Sequence, residues 1–211
     1  MAKPTLYGHP NSPYVRTARM TLHEKGVDYE FAVLTLAEVG SPEHRQRHPF
    51  GKMPAMQHGD LTVFETEAIC RYVDEAFPGP SLQPATAAGR ARMTQWVSVY
   101  NAYCFNPIAK DIFFQRVVGP KYFGRPTDTA VIAAAVPVVE HRLALLNAAL
   151  ARDAFLAGSE VSLADLILLP AITYLGLTPE GQELLPEAPA VTAWKERMEA
   201  RPSAKDTMPV W

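Results

Sequence analysis

The sequence predicts a protein in two parts, a small α/β domain followed by an all-helical domain. Short β-rich runs alternate with helical patterns in the order β-α-β-(α)-β-β-α over roughly the first 78 residues, which is typical of a small mixed sheet covered by helices. The composition then changes at Phe77-Pro78-Gly79-Pro80, and the pattern beyond it is almost wholly helical. We therefore expect an α/β domain over residues 1–79, a linker over 80–88 and an all-helical domain over 89–211.

The overall composition excludes several classes of function. Of the 211 residues, 48% are hydrophobic and 20% charged, and the formal net charge is −2. Proteins that bind a nucleic-acid backbone carry basic patches, so this charge argues against that class. No run approaches the length needed to cross a bilayer, and the N-terminus lacks the apolar segment of a secretory signal. We expect a cytoplasmic protein that binds neither nucleic acid nor membrane.

Local signals predict the first elements of the α/β domain. Thr5–Tyr7 is a brief apolar run followed by turn residues, which predicts a strand. Ser12 precedes Pro13, and proline at the first helical position after such a residue is a strong helix start. Gly26 is placed to end this helix, and the β-rich run Tyr29–Leu34 predicts the second strand.

The second half of this domain is predicted as a hairpin followed by a helix. Ala37–Arg47 is polar and interrupted by glycine and proline, so we expect a loop with one short helix. Two extended runs, Pro54–Gln57 and Leu61–Phe64, are joined by His58-Gly59-Asp60, which is the composition of a hairpin turn. A helix with one apolar face is predicted from Thr66 onward.

This hairpin and helix form a candidate binding site. The hydroxyl of Thr66 and the free amides of a helix start suit a carboxylate, and Glu65 suits the positive end of the helix dipole. The backbone of Met53, ahead of Pro54, could pair with an extended peptide, and Lys52 adds a positive charge. Together these residues predict a site for a small peptide with carboxylates at both ends. Taken singly, each also has an ordinary interpretation as a cap, a turn former or a surface charge.

The remainder of the chain predicts long helices. Arg90–Val118 reads as one long helix rich in aromatic residues. A second long helix carries an apolar stripe with steps of 4, 3, 4, 3 and 4 residues: Ile132, Val136, Val139, Leu143, Leu146 and Leu150. Pro137 lies inside this stripe and should kink the helix or cost about 3 kcal/mol.

Two further helices are predicted near the C-terminus. Ser162 and Asp165 have the spacing of a reciprocal N-cap, and the nearly all-apolar run that follows predicts the central buried helix of the second domain. Pro170 lies inside that run and again suggests a kink. Pro186–Ala200 predicts the last helix.

Ser12 is the first candidate for chemistry. It lies where a loop meets a helix, so its hydroxyl could donate to a thiolate and lower a thiol pKa from about 8.5, or it could merely cap the helix. The chain has no Cys-x-x-Cys motif, and Cys70 and Cys104 read as small buried residues rather than as a disulfide or exchange pair. His44 and His48 have the i, i+4 spacing of metal ligands on a helix, but Pro49 disfavours a helix there, so we predict no metal site.

Aromatic side chains in the helical part allow two interpretations. They either pack between helices or partly line an apolar pocket, and the pattern does not decide which residues would do so. The set comprises Tyr100, Tyr103, Phe105, Phe113, Phe114, Tyr122 and Phe123. Of these, Phe105, Phe113 and Phe114 are the candidates for contact with an apolar substrate.

Four segments together resemble the cytosolic glutathione transferases, and most closely the serine-type enzymes of the phi class and their bacterial relatives. These segments are YGHPNSPYVRTARMTLHEKGVDYE, HPFGKMPA, FETEAI and SLADLILLP, and the resemblance covers nearly the whole chain. It implies a thioredoxin-like N-terminal domain with a mixed four-stranded sheet, an all-helical C-terminal domain and a homodimer. It also implies that Ser162 and Asp165 form the family's folding signature.

The resemblance also implies residue roles. Ser12 would activate the glutathione thiolate, Met53 would pair its backbone with the cysteinyl part ahead of a cis Pro54, and Lys52 would lie near the glycyl carboxylate. Glu65 and Thr66 would hold the γ-glutamyl end. The sequence departs from phi enzymes at Val39-Gly40, where a His-Lys pair is usual, and His44 or Arg45 are candidate substitutes.

The implied function is attack of activated glutathione, as co-substrate and without a bound cofactor, on an apolar electrophile, with hydroperoxide reduction as a further possibility. An alternative is a non-catalytic binding or regulatory module with the same fold, which the departure at Val39-Gly40 keeps open. A glutathione-dependent thiol reductase would require cysteine in place of Ser12. The sequence does not identify the second substrate.

Overall fold

The computed structural model describes residues 2–210. Their packing divides the chain into two compact units. The first unit contains the residues up to Gln83 together with the segment from Glu199 onward, and the second is Pro84–Met198. The units therefore differ from the predicted division at the C-terminal end, because that segment packs within the first unit.

The first unit contains a mixed four-stranded sheet, as the resemblance implies. Its strands are β1 (Thr5–Gly8), β2 (Glu30–Val33), β3 (Ala55–His58) and β4 (Leu61–Phe64). The spatial order is β2-β1-β3-β4, in which β1 and β2 run parallel while the β1–β3 and β3–β4 pairs are antiparallel. This order places the end of β1 beside the beginning of β3, so residues that are distant in sequence become neighbours.

Four helices accompany the sheet: α1 (Pro13–Glu24), α2 (Leu36–Val39), α3 (Pro42–Arg45) and α4 (Thr66–Ala76). Where the sequence predicted one short helix over Ala37–Arg47, two helices form, because each has its own cap. Thr35 and Glu38 make a reciprocal capping box on α2, and the Ser41 hydroxyl accepts from the His44 amide on α3.

The core of the first unit lies between the central strands and two helices, α1 and α4. Apolar side chains with at most 1% exposure fill it: Leu6, Val15, Ala18, Leu22, Met56, Ile69 and Val73. Burial of such side chains is the main favourable contribution to folding, and it fixes the starts of α1 and α4 relative to the sheet.

The second unit is helical throughout its described elements, as predicted. The α-helices are α5 (Ala87–Val99), α6 (Gly119–Phe123), α7 (Thr129–Leu150), α8 (Leu163–Leu175), α9 (Pro179–Leu184) and α10 (Pro189–Glu199). Between α5 and α6 the chain is wound as π-helix over Tyr100–Cys104 and Asn106–Val118. Helical structure therefore covers the predicted Arg90–Val118 region, but the wider π winding was not predicted.

The buried face of α7 differs from the predicted apolar stripe at one position. Five of the six predicted residues are buried, whereas Val136 is only half-buried and Ala135 takes the buried place beside it. Pro137 is exposed, and α7 continues through it. In α8 all residues are buried, including Pro170, which confirms that this is the central helix of the unit.

By length and composition alone, α7 could also span a membrane, with a mean hydropathy of 1.6. The expectation that no run approaches such a length is therefore wrong for this helix. One helix of this kind is weak evidence for a membrane segment, because core helices of soluble proteins have the same properties. Glu140 and Arg142 interrupt its apolar character, and its buried residues form the stripe that packs within the unit.

The C-terminal segment adds a short helix, α11 (Pro202–Lys205), to the first unit. Arg201 donates to both carboxylate oxygens of Glu24 at 2.8 and 2.6 Å. The fully buried Arg16 donates to the Ala204 carbonyl at 3.3 Å. These contacts attach the segment to α1, although no local signal in the sequence predicted its partner.

Candidate active site

Ser12 is the residue that precedes α1, and its backbone is extended, with φ −70° and ψ 129°. Its Oγ accepts from the Val15 amide at 3.4 Å, which is long for such a bond. A hydroxyl can accept and donate at once, and no described residue accepts the proton of Ser12. The cap expected from the sequence is therefore present but weak, and it leaves the proton of the hydroxyl available.

The loop before Ser12 lies against Met53. The His9 amide donates to Met53 Sδ at 3.1 Å, and the Ser12 amide donates to the His9 carbonyl, also at 3.1 Å. The adjacency of β1 and β3 brings these segments together. The Met53–Pro54 peptide bond is cis, as the resemblance implies.

The start of α4 differs from the predicted cap. Thr66 is the first helical residue and is 5% exposed, whereas Glu65 occupies the cap position without a side-chain hydrogen bond to the helix. Glu65 has φ 71° and is the only non-glycine residue with positive φ in the range 2–210. Such a conformation costs about 1–3 kcal/mol and is usually retained where function requires it. The first amides of α4 thus lack a side-chain cap.

Glu65 also lies within electrostatic reach of α1 and of the loop before β3. Burial raises the pKa of the Tyr14 hydroxyl, and the Glu65 carboxylate raises it further. Burial lowers the pKa of His48, and the same carboxylate acts in the opposite direction. The starts of α1 and α4 therefore face a common region. The sequence indicated neither Tyr14 nor His48 as a neighbour of this site, because both contacts depend on tertiary packing.

Lys52 is fixed through its backbone. Its carbonyl oxygen is 2.7 Å from Nε2 of His44, while its side chain is exposed. The carbonyl is thus held by the buried His44 ring, while the side chain is exposed to solvent. The local sequence gave no sign of this contact from α3.

Neither residue of the Val39-Gly40 pair supplies a cationic side chain. Val39 is buried, and Gly40 ends α2. Arg45 reaches this position from α3. Its Nε donates to the Gly40 carbonyl at 3.3 Å and its Nη1 to the Pro49 carbonyl at 3.4 Å. Arg45 is exposed and lies against Gly51, next to Lys52.

The three phenylalanines predicted to contact an apolar substrate differ in exposure. Phe113 is 3% exposed, and its ring centroid lies 5.0 Å from that of Tyr174, which favours the core role that the sequence left open. Phe105 and Phe114 are partly exposed. The helical unit also has a cavity of about 340 Å³, and none of the three phenylalanines is among its lining residues.

In the part of the chain that the structure describes, the two cysteines are buried and the histidines form no cluster with other potential metal ligands. Burial raises the pKa of Cys70 to about 12 and that of Cys104 to about 11, so neither thiol is reactive near neutral pH. Within residues 2–210 no group of three or more His, Cys, Asp or Glu residues could hold a metal ion. The ring centroids of His44 and His48 lie 6.4 Å apart. The absence of a metal site stays a prediction.

Comparison with known protein families identifies both parts of the chain. Residues 2–75 match the glutathione S-transferase N-terminal domain, and residues 105–202 match the glutathione S-transferase C-terminal domain. Glutathione S-transferase 3 of Zea mays is 37% identical over 99% of this chain and 94% of its own length. Glutathione S-transferase F6 of Arabidopsis thaliana is 33% identical over 99% of this chain and 100% of its own.

Solved structures agree with the sequence relatives. The crystal structure of glutathione transferase F7 from Populus trichocarpa superimposes with a TM-score of 0.89 at 33% identity, covering 97% of each chain. Glutathione S-transferase I from maize, in complex with an atrazine–glutathione conjugate, gives a TM-score of 0.88 at 32% identity and covers 98% of this chain and 96% of its own. The relatives include plant phi-class proteins. The chain therefore belongs to the glutathione S-transferase family, has its thioredoxin-like and helical domains, and is a glutathione transferase.

Proposed function

We propose that Ser12 activates the glutathione thiol for attack on an apolar electrophile. The observation that carries this proposal is the Ser12 hydroxyl, which lies at the start of α1 and has no acceptor for its proton among the described residues. The loop that precedes it contacts Met53 through the His9 amide. A donated hydrogen bond and the positive end of the α1 dipole both favour the thiolate over the thiol. The thiolate sulfur then forms a bond to the electrophilic carbon as the leaving group departs with its electron pair.

Binding of glutathione is assigned to the segments that meet at this region. The Met53 backbone pairs with the cysteinyl part, next to Pro54. Glu65 pairs with the γ-glutamyl ammonium group, while the Thr66 hydroxyl and the uncapped amides of α4 take its carboxylate. Lys52 and Arg45 supply positive charge for the glycyl carboxylate. In this scheme the protein positions and polarises glutathione without forming a covalent intermediate.

Calorimetric titration with glutathione tests this scheme against the alternative of a non-catalytic module. The enzyme should bind glutathione with a dissociation constant below the millimolar range and should transfer it to an aryl halide. A Lys52→Ala, Arg45→Ala double variant should bind more weakly, and the loss should shrink at high salt because exposed charges are screened. Absence of binding at millimolar glutathione would favour the module.

The second substrate is proposed to be an apolar electrophile, with hydroperoxides as a further class. The maize relative in complex with an atrazine–glutathione conjugate supports the conjugation reaction. Phe105 and Phe114 are the proposed apolar contacts, because both keep exposed surface, whereas Phe113 belongs to the core. A panel of aryl halides and organic hydroperoxides, each assayed with glutathione, separates conjugation from peroxide reduction.

We further propose a serine-type, phi-like cytoplasmic homodimer. Phe50 supports the dimer, because its ring is 66% exposed on the first unit and would be covered by a second copy. Light scattering should give twice the chain mass of 23.2 kDa, and Phe50→Ala should shift the population towards the monomer. The relatives described above are plant proteins, so a bacterial origin stays a prediction.

A further inference from the structure

His44 is a buried side chain that the proposed reaction does not use. It is 1% exposed, and its Nε2 lies 2.7 Å from the carbonyl oxygen of Lys52. A carbonyl oxygen only accepts, so Nε2 must carry the hydrogen of this bond. The other ring nitrogen, Nδ1, is buried and has no partner within the described residues. The contact with Lys52 is therefore the one hydrogen bond that anchors this ring.

The backbone around His44 holds the ring in place. The His44 amide donates to the Ser41 hydroxyl at 3.1 Å, and the His44 carbonyl accepts from the amides of Arg47 and His48 at 2.9 Å each. Helix α3 has only four residues. Its geometry therefore depends mainly on these hydrogen bonds. His44 thus joins a fixed turn to the following loop.

The loop that receives this bond carries part of the proposed glutathione site. No regular element is present between α3, which ends at Arg45, and β3, which begins at Ala55. Lys52 and Met53 lie in this stretch, and the His44 ring ties the Lys52 carbonyl to α3. Without the bond, the carbonyl would have to turn towards water, and the Lys52 side chain and the Met53 backbone would turn with it.

We propose that His44 is a positioning residue for glutathione, which acts through the Lys52 carbonyl and does not touch the substrate. The inference rests on the proposed site at Lys52 and Met53. Ser12 belongs to a different segment, so the loss of this bond should weaken glutathione binding without altering thiolate activation. The expected signature is a KM for glutathione about 5- to 10-fold higher, with kcat changed less than about twofold.

A pair of substitutions at one position tests this signature. Glutamine at His44 can place an N–H donor near the position of Nε2, whereas the shorter asparagine cannot reach the Lys52 carbonyl. We therefore expect His44→Asn to raise the KM for glutathione and His44→Gln to restore most of the wild-type value. Both variants are polar and similar in size, so the comparison does not depend on whether a large apolar replacement would fold.

His58 provides the matched control. Its Nε2 also contacts a backbone carbonyl, that of Ala2 at 2.8 Å, but at the other end of β3. His58→Asn should leave both kinetic constants unchanged. Equal KM values for His44→Asn and His44→Gln, or an equal effect of His58→Asn, would overturn the inference. If the wild-type enzyme itself failed to bind glutathione, the proposed site would be refuted first, so the two failures are distinguishable.

Discussion

Helices α4 and α8 differ in how the unpaired backbone amides of their first turns are treated. Helix α8 has a reciprocal capping box, whereas α4 has no side-chain cap. At the start of α8, the Ser162 amide and hydroxyl donate to one carboxylate oxygen of Asp165 at 2.9 and 2.8 Å. The Leu156 amide and the Trp194 indole donate to the other oxygen, each at 2.9 Å. At the start of α4, Glu65 makes no cap, and its backbone is held at positive φ.

The difference separates a fully capped helix start from an uncapped one, to which we have assigned part of the proposed glutathione site. Burial raises the pKa of Asp165, and its four hydrogen-bond donors act in the opposite direction, so its carboxylate is fully committed to the protein. The start of α4 keeps free amides and an exposed carboxylate at a cost in strain. Substitutions at α8 should therefore change stability, whereas those at α4 should change glutathione binding.

The largest expected effect is that of Asp165→Ala. Four buried donors would lose their acceptor, so the free energy of unfolding should fall by about 3–5 kcal/mol. Urea denaturation measures this loss. Asp128→Ala is the matched control, because Asp128 caps α7 with two amide contacts but is exposed, and about 1 kcal/mol is expected there. Similar losses for both variants would contradict the structural role of the buried cap.

The carboxylate of Glu24 is also held by hydrogen bonds, and it should make the free energy of unfolding sensitive to acid. Burial raises the pKa of Glu24, but hydrogen bonds from Arg201 and Ser203 outweigh it, and the net pKa is lowered. A carboxyl with a lowered folded pKa stabilises the protein above its unfolded pKa of about 4.3, and this contribution is lost as the pH falls through the folded pKa.

Glu24→Gln should therefore reduce the free energy of unfolding by about 1.5–2 kcal/mol at pH 7 and flatten its fall below about pH 4.3. Denaturation curves recorded at pH values from about 3 to about 7 measure both effects. An acid limb as steep as that of the wild type would show that Glu24 does not contribute to it.

Thr66→Val should affect binding instead of stability. The substitution keeps the shape of the side chain and removes its hydroxyl, which caps no amide in α4. The KM for glutathione should rise about tenfold, while the free energy of unfolding stays within about 0.5 kcal/mol of the wild type. Steady-state kinetics and urea denaturation on the same preparation provide both values. A loss of stability without a change in KM would reverse the role assigned to this helix start.

Glu65→Gly should have a small effect on the free energy of unfolding, and the sign of that effect is informative. Glycine adopts positive φ without strain, so the free energy of unfolding should be unchanged or up to about 1 kcal/mol higher. Glutathione binding should weaken, because the carboxylate is lost. Glu65→Gln is the control that removes the charge and keeps the strain. If Glu65→Gly were destabilising and bound glutathione normally, glutathione binding would not explain the positive φ of Glu65.

Local signals in the sequence identified the strands of the first unit and the starts of several main helices. Pro13 and Gly26 bounded α1, and the spacing of Ser162 and Asp165 identified the start of α8, because caps act within a few residues. The positive φ of Glu65 was not predictable, since glutamate is not a residue type that favours it.

Contacts between distant segments account for the other features of the structure that the sequence did not predict. The bond from His44 to Lys52 and the ion pair between Glu24 and Arg201 depend on the packing of short helices, α3 and α11, that have no periodic signal of their own. The resemblance supplied the candidate roles of Ser12, Met53, Glu65 and Thr66. The structure brings their segments together, but it was the resemblance rather than residue spacing that pointed to their joint use.

Titration of the thiol of enzyme-bound glutathione tests the central claim most directly. The ultraviolet absorbance of the thiolate should be followed against pH in the wild-type enzyme and in Ser12→Ala. The wild-type complex should titrate well below the value of about 8.5 for a free thiol, and Ser12→Ala should bind glutathione but titrate closer to that value. The same apparent pKa in both complexes would contradict activation by Ser12.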